Sequence, residues 1–169
     1  MDNNDILIRL RYALDIKNSD MVEIFKLGGI ELAKEDVQKV LTKTPERDEE
    51  EDDSIFTESA NDDYIPVDNA MLESFLNGFI IHKRGRQEGQ TGTPPLTNEP
   101  SKNLLLKKVK IALQLTSEDM LEILKLAGVT VSKGELSGIL RKQGHKNYSL
   151  CGDRYARNFL KGLAVKYRK

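Results

Sequence analysis

The fold of this protein is decided by a stretch that occurs twice in its sequence. The first copy reads Asn4-Asp-Ile-Leu-Ile-Arg-Leu-Arg-Tyr-Ala-Leu14, and the second reads Asn103-Leu-Leu-Leu-Lys-Lys-Val-Lys-Ile-Ala-Leu113. The copies stay in register without a gap as far as Lys43 and Lys142, and a further match pairs Phe75-Leu-Asn-Gly78 with Phe159-Leu-Lys-Gly162. Since both copies must build similar folds, the sequence predicts two tandem repeats.

Apolar residues recur at three- and four-residue spacing in both copies, as in Ile6, Leu10 and Leu14. This spacing is typical of helices that bury one face. We expect helices near residues 4–16, 19–27, 34–43 and 69–83, with counterparts in the second repeat. No alternation typical of strands stands out. The sequence therefore predicts an all-α fold, in which each repeat is a small bundle of about four helices.

Four glycines and one serine predict where these helices end, begin or pack closely on another backbone. Gly29 and Gly128 follow the second helix of each repeat, where a left-handed residue can close it. Ser132 stands where its hydroxyl can cap the third helix of the second repeat. Gly78 and Gly162 interrupt the fourth helices at the same place, although glycine costs about 1 kcal/mol relative to alanine in a helix interior. A glycine kept in both copies predicts that another backbone packs closely there.

The repeats define the expected domains. Residues 1–85 form the first helical repeat and include an acidic insertion at 44–68, which we expect to be disordered because blocks of like charge repel themselves. Residues 86–101 are rich in Gly, Thr and Pro and are typical of a linker. Residues 102–169 form the second repeat.

The net charge of −1 conceals an uneven distribution. Residues 101–169 carry 15 Lys and Arg against 5 Asp and Glu, whereas residues 1–100 carry 11 against 22. Such asymmetry suggests a polyanionic partner for the basic half. The acidic insertion could mask this basic surface as a tethered competitor, or it could serve only as a solubilising loop.

The best candidate binding surface lies in the second repeat, at residues 133–169. It combines cations for phosphate or carboxylate groups with a histidine and a tyrosine, which single-stranded nucleic acid could use for stacking. A solvated helix face with a basic tail would look the same. The candidate residues are Lys133, Arg141, Lys142, His145, Lys146, Tyr148, Arg154, Arg157 and Lys161.

The same region admits two sharper interpretations. Residues 117–142 could be a helix-turn-helix motif, in which the second helix presents polar side chains to DNA bases. Alternatively, Cys151 could be a nucleophile activated by His145, with Asp153 nearby. Little of a catalytic site accompanies that thiol, and the two histidines and one cysteine are too dispersed for zinc. We therefore expect no catalytic residues, no metal site and no cofactor.

Three other features of the sequence bear on the cellular compartment of the protein. No apolar run approaches the roughly 20 residues needed to span a bilayer, so no membrane association is expected. Met1 to Asp5 lacks the basic start and apolar stretch of a signal peptide. A lone cysteine cannot form an internal disulfide. Together these features predict a cytoplasmic protein.

Several of the motifs resemble the YehS-like family of bacterial proteins of unknown function. The resemblance covers both repeats and implies a bacterial cytosolic protein with a duplicated helical domain, but no established activity. The acidic insertion is longer and more acidic than that family leads us to expect. The matching motifs are Asn4–Leu7, Tyr12–Leu14, Phe75–Gly78 with Lys83–Gly85, and His145–Tyr148 with Cys151–Asp153.

The sequence thus leaves three functional hypotheses. The first is a non-catalytic binding or regulatory protein that contacts nucleic acid or another acidic polymer through the basic second repeat. The second is an adaptor for proteins, with grooves between helices that accept a partner. A cysteine-based enzyme is the third.

Overall fold

The protein is described by a computed structural model that covers residues 1–43, 64–85 and 93–168. All regular structure in these ranges is helical, which confirms the all-α, duplicated fold. The acidic run at residues 46–53 and linker residues 86–92 lie outside the described ranges. The helices are α1 (Asn3–Leu14), α2 (Asn18–Leu27), α3 (Lys34–Val40) and α4 (Asn69–Arg84), then α5 (Ser101–Ala112), α6 (Ser117–Leu126), α7 (Lys133–Leu140) and α8 (Asp153–Tyr167).

The third helix of each repeat is shorter than predicted. α3 ends at Val40 and α7 at Leu140, whereas the sequence suggested ends at residues 43 and 142. In both repeats, a carbonyl group that a longer helix would use accepts a hydrogen bond from outside the helix. The oxygen of Lys39 accepts from the amide of Ile65, and the oxygen of Gly138 accepts from the amide of Ser149. Each helix therefore stops where the segment before the fourth helix docks onto it.

A buried asparagine fixes this docking in both repeats. The Asn4 side chain donates to the oxygens of Val40 and Ile65 at 2.9 and 2.8 Å, and its oxygen accepts from the amide of Val67 at 2.9 Å. Asn103 makes the three equivalent bonds in the second repeat, to Ile139, Ser149 and Cys151. One side chain thus joins the first helix, the third helix and the approach to the fourth.

The two repeats are built around one another. α1 packs chiefly on α8, and α5 packs chiefly on α4, so the first helix of each repeat lies against the last helix of the other. Within the repeats, α2 packs on α4 and α6 packs on α8. The buried apolar residues of both repeats form one continuous core. The division into domains at residues 85 and 102 stays a prediction.

The glycine predictions are confirmed. A methyl group added at Gly78 would lie 1.9 Å from the backbone oxygen of Ile24, and one at Gly162 would lie 1.9 Å from that of Ile123. The second and fourth helices therefore cross with their backbones in contact in both repeats. Gly29 and Gly128 adopt positive φ angles of 97° and 87° after the second helices, and the Ser132 hydroxyl caps α7.

We predict that Gly78→Ala and Gly162→Ala each lower the free energy of unfolding by at least about 2 kcal/mol, because backbone atoms cannot move aside as a flexible side chain can. Urea denaturation measures this. Gly134→Ala is the matched control: its nearest neighbour would be the Ser132 hydroxyl at 3.8 Å. That exchange, inside an exposed part of a helix, should stabilise by up to about 1 kcal/mol. Equal effects at Gly134 and Gly162 would contradict the close crossing.

Candidate functional site

The basic residues predicted as one surface fall into separate environments. Lys133, at the start of α7, pairs with the Glu118 carboxylate at 2.8 Å, and both side chains are about two-thirds exposed (68% and 67%). The helix-turn-helix hypothesis counts Lys133 among the side chains that α7 would present to DNA, and in the structure its ammonium is paired with Glu118 on α6. Lys142, His145, Lys146 and Arg154 are exposed in the structure.

Part of the loop between α7 and α8 packs inward. The Nε of Arg141 and the hydroxyl of Tyr148 are buried and have no hydrogen-bond partner in the part of the chain that the structure describes. The Lys107 ammonium lies 5.8 Å from the centre of the Tyr148 ring. Glu99 accepts from Lys107 at 2.8 Å and from the amide of Gln143 at 3.2 Å. This loop is thereby anchored to the end of the linker.

Arg157 and Lys161 lie elsewhere, on the wall of a groove between α8 and α1. The groove has a volume of about 480 Å³. Its apolar lining comes from both repeats, and its charged lining consists of cations, without a carboxylate among its described walls. The apolar residues are Ile8, Tyr12, Leu160 and Ala164, the cations are Arg9, Arg157 and Lys161, and Asn158 completes the set.

The same repeat relationship that pairs α1 with α8 also pairs α5 with α4. In the alignment of the repeats, Arg157 of the groove corresponds to Glu73 on α4, and Ile8 corresponds to Lys107 on α5. Both of these counterparts are in contact with the linker. The molecule therefore contains two equivalent interhelical surfaces, one between α4 and α5 and one between α1 and α8. The linker contacts the surface between α4 and α5.

Glu73 is the residue that anchors the linker. Its side chain is 1% exposed and accepts from the amide of Thr97 at 2.7 Å, from the Thr97 hydroxyl at 2.7 Å and from the amide of Asn98 at 3.0 Å. Sequence reasoning missed this role. The available signal was a single acid beside the apolar stripe of α4, at a position where the other repeat carries Arg157.

The residues of the possible thiol enzyme have separate partners. His145 accepts through Nδ1 from the amide of Asn147 at 3.1 Å. The Met1 amino group and the Lys102 ammonium, which both contact Asp153, lower the pKa of that carboxyl to about 2. Burial raises the pKa of the Cys151 thiol to about 12, which leaves it protonated at neutral pH. The thiolate that nucleophilic chemistry requires is therefore disfavoured.

Two properties of the described residues bear on metal binding and on membrane insertion. The described residues hold no group of three or more His, Cys, Asp or Glu side chains that could bind a metal ion. No helix within the described ranges combines the length and apolar character that crossing a membrane requires.

Comparison with known proteins agrees with the duplicated architecture. The model of the family described as "Protein of unknown function (DUF1456)" matches twice, at residues 3–85 and 102–169. The chain belongs to this family. It is 36% identical over 166 residues to "Uncharacterized protein YehS" of Escherichia coli (strain K12), a match that covers 98% of this chain and 96% of that protein. The YehS-like resemblance is thereby confirmed. No solved structure matches the chain.

We predict that Cys151 in the folded protein reacts with a thiol reagent such as 5,5′-dithiobis(2-nitrobenzoate) at least about a hundredfold more slowly than free cysteine at pH 7.5, since each unit of raised pKa removes about nine-tenths of the thiolate. The same protein in urea should react at the ordinary rate and serves as the control. Rapid reaction in the folded state would contradict the burial of the thiol.

We also predict that Glu73→Gln releases the linker locally. The neutral amide accepts weaker hydrogen bonds than a carboxylate, so the amides of Thr97 and Asn98 should exchange with solvent about tenfold faster. Hydrogen exchange measured by NMR gives the rates residue by residue. Glu99→Gln is the matched control, because it should accelerate exchange at Gln143 and leave residues 97 and 98 protected. Unchanged exchange at both residues in Glu73→Gln would show that the carboxylate does not hold the linker.

Proposed function

We propose that this protein is a non-catalytic binding protein that holds an anionic segment of a protein partner in the groove between α1 and α8. One observation carries the proposal: three cations, Arg9, Arg157 and Lys161, surround an apolar lining to which no described residue adds a carboxylate. A mixture of apolar contact area and like charge suits a peptide that offers both apolar and acidic side chains.

Two tyrosines, Tyr12 in the groove and Tyr148 in the basic loop, favour a protein partner over single-stranded nucleic acid. The guanidinium of Arg168 lies 3.9 Å from the centre of the Tyr12 ring and donates to the Tyr12 carbonyl oxygen at 2.9 Å. Tyr148 is half-buried and has Lys107 over its ring. Each of these rings thus has a cation over one face, which reduces the surface available for base stacking.

Nucleic acid remains the second candidate, because the basic half of the chain has 15 Lys and Arg against 5 Asp and Glu. Its contact surface would be residues 133–169, centred on the exposed loop with Lys142, His145 and Lys146 rather than on the groove. A third role, thiol catalysis, has little support, since Cys151 is buried and protonated. The lone buried cysteine suits a reducing compartment, which is the basis for proposing a cytoplasmic location.

Charge reversal at matched positions distinguishes the two binding surfaces. We predict that Arg157→Glu with Lys161→Glu lowers the affinity for poly-L-glutamate by about tenfold or more, since each lost attraction and gained repulsion is worth up to about 1 kcal/mol. Lys142→Glu with Lys146→Glu changes the net charge equally and should alter the affinity by less than about threefold. Fluorescence anisotropy measures both.

Oligo(dT) under the same conditions tests the second candidate. If the loop variant loses oligo(dT) binding while the groove variant keeps it, and the wild-type affinity falls steeply between low and physiological salt, the surface binds nucleic acid. Equal losses of poly-L-glutamate binding in the two double variants would show that overall charge, rather than the groove, determines binding.

A further inference from the structure

The linker shows how this chain fills one of its two equivalent interhelical surfaces. Thr93 lies beside Gly29 at the end of α2, where its methyl carbon would be 2.7 Å from a side chain added to that glycine. Thr97 and Asn98 then donate to Glu73 on α4, and Glu99 reaches Lys107 on α5. Residues 93–99 have no helical or strand structure, so this occupant is an irregular segment, in which Asn98 adopts a positive φ of 60°.

Within the part of the chain that the structure describes, the equivalent path in the other half of the molecule is open. Gly128 corresponds to Gly29, and a side chain added there would meet no described residue within 4 Å. Arg157 corresponds to Glu73 and is exposed, whereas Ile8 corresponds to Lys107 and lines the groove. The path that a second segment would follow therefore runs from the end of α6, past α8, to α1.

The burial of the fourth helices shows the same asymmetry. On α4, one stripe is formed by Glu73, Asn77 and Ile81, which are 1%, 3% and 7% exposed. The corresponding stripe on α8 is Arg157, Lys161 and Val165; all three side chains are exposed, and Val165 is 53% exposed. A face that is covered in one repeat is thus uncovered in the other.

The exchange of Glu73 for Arg157 defines what the open path would bind. The Glu73 carboxylate accepts from amide and hydroxyl groups of the linker, whereas a guanidinium only donates. Its best partner is a carboxylate, which it can bind through two parallel hydrogen bonds. We infer that the groove between α1 and α8 binds an extended acidic peptide of a partner protein along the path equivalent to that of residues 93–99, with a carboxylate on Arg157 and an apolar side chain near Ile8.

The dimensions of the groove suit a short extended segment. Along α8 the groove lining runs from Arg157 to Ala164, which is seven helical steps, or about 10 Å at 1.5 Å per residue. An extended chain covers that length with roughly three residues at about 3.3 Å each. This inference rests on the proposed function and specifies the conformation and chemistry of the partner segment.

Two synthetic peptides that differ in a single side chain test the inference on the full-length protein. One has the sequence of residues 93–99 with leucine in place of Glu99, because Glu99 pairs with Lys107 and Ile8 stands at the equivalent place in the groove. The other is the same peptide with glutamate at the position of Thr97. We expect the glutamate peptide to bind about tenfold tighter, since a charge-assisted hydrogen bond contributes about the free energy of one decade in affinity. Arg157→Gln should abolish this preference. Arg154→Gln, an exposed arginine on the same helix outside the groove lining, should leave it unchanged.

The location of binding is read by NMR. We expect the glutamate peptide to shift the methyl signals of Ile8 and Ala164 and to leave those of Ile81 unchanged. Equal affinity of the two peptides, or a preference that survives in Arg157→Gln, would overturn the inference. Shifts at Ile81 with loss of protection at Thr97 would also overturn it, because the peptide would then be displacing the linker from α4.

Further binding measurements distinguish a failure of this inference from a failure of the proposed function. If an acidic helical peptide shifts the groove residues and the extended peptides do not, the groove binds a helix and only the extended mode fails. If no peptide and no poly-L-glutamate binds there, both proposals fail. Oligo(dT) that competes in an Arg157-dependent manner would identify the occupant as nucleic acid. Self-association that Ala164→Trp abolishes would identify it as a second copy of the chain.

Discussion

The structure depends on a side-chain amide that is buried at the same place in each repeat. Asn4 and Asn103 each make three equivalent hydrogen bonds to backbone groups, so both donors and the acceptor of the amide are used where water cannot replace them. The bonds end the third helix and fix the residue that lies two positions before the fourth. The position of the fourth helix relative to the first helix of its own repeat follows from this constraint.

A second constraint acts on the fourth helix from the opposite side. Gly78 and Gly162 allow α4 and α8 to lie with their backbones against α2 and α6, at the oxygens of Ile24 and Ile123. Fixed at its start by the asparagine and along its length by the glycine, each fourth helix has one face left for the first helix of the other repeat. The two interhelical surfaces are products of that arrangement. They share a geometry because the constraints are duplicated.

Sequence patterns predicted the elements of this fold well, because periodicity reports which face of a helix is buried. They did not predict that α1 would pack on α8, since periodicity does not report which element covers a face. The repeated Asn4 and Asn103 were visible as an identity, but their role depends on carbonyl groups that only the folded chain brings together. The third helices ended early for the same reason.

The structure places the residues of the candidate surface in separate environments, because the prediction grouped them only by their nearness along the sequence. Lys133 is paired with Glu118, and the Tyr148 ring packs under Lys107. Arg157 and Lys161 instead share a groove with Arg9, a residue of the first repeat that sequence position could not associate with them. The linker composition predicted only a connecting segment. Its docking on α4 depends on the Glu73 carboxylate, which a compositional argument does not include.

The two surfaces also differ in how their occupants are supplied. The linker is tethered to α5, so its effective concentration at Glu73 is on the order of millimolar, and a few hydrogen bonds suffice to keep it in place. A partner that arrives from solution has no such advantage and must offset the loss of its translational freedom. Cations around the open groove attract an acidic segment before contact and hydrogen-bond to it afterwards. The difference between the two surfaces therefore fits their occupants. Glu73 holds a linker that is already tethered beside it, whereas Arg157 can attract an acidic segment from solution.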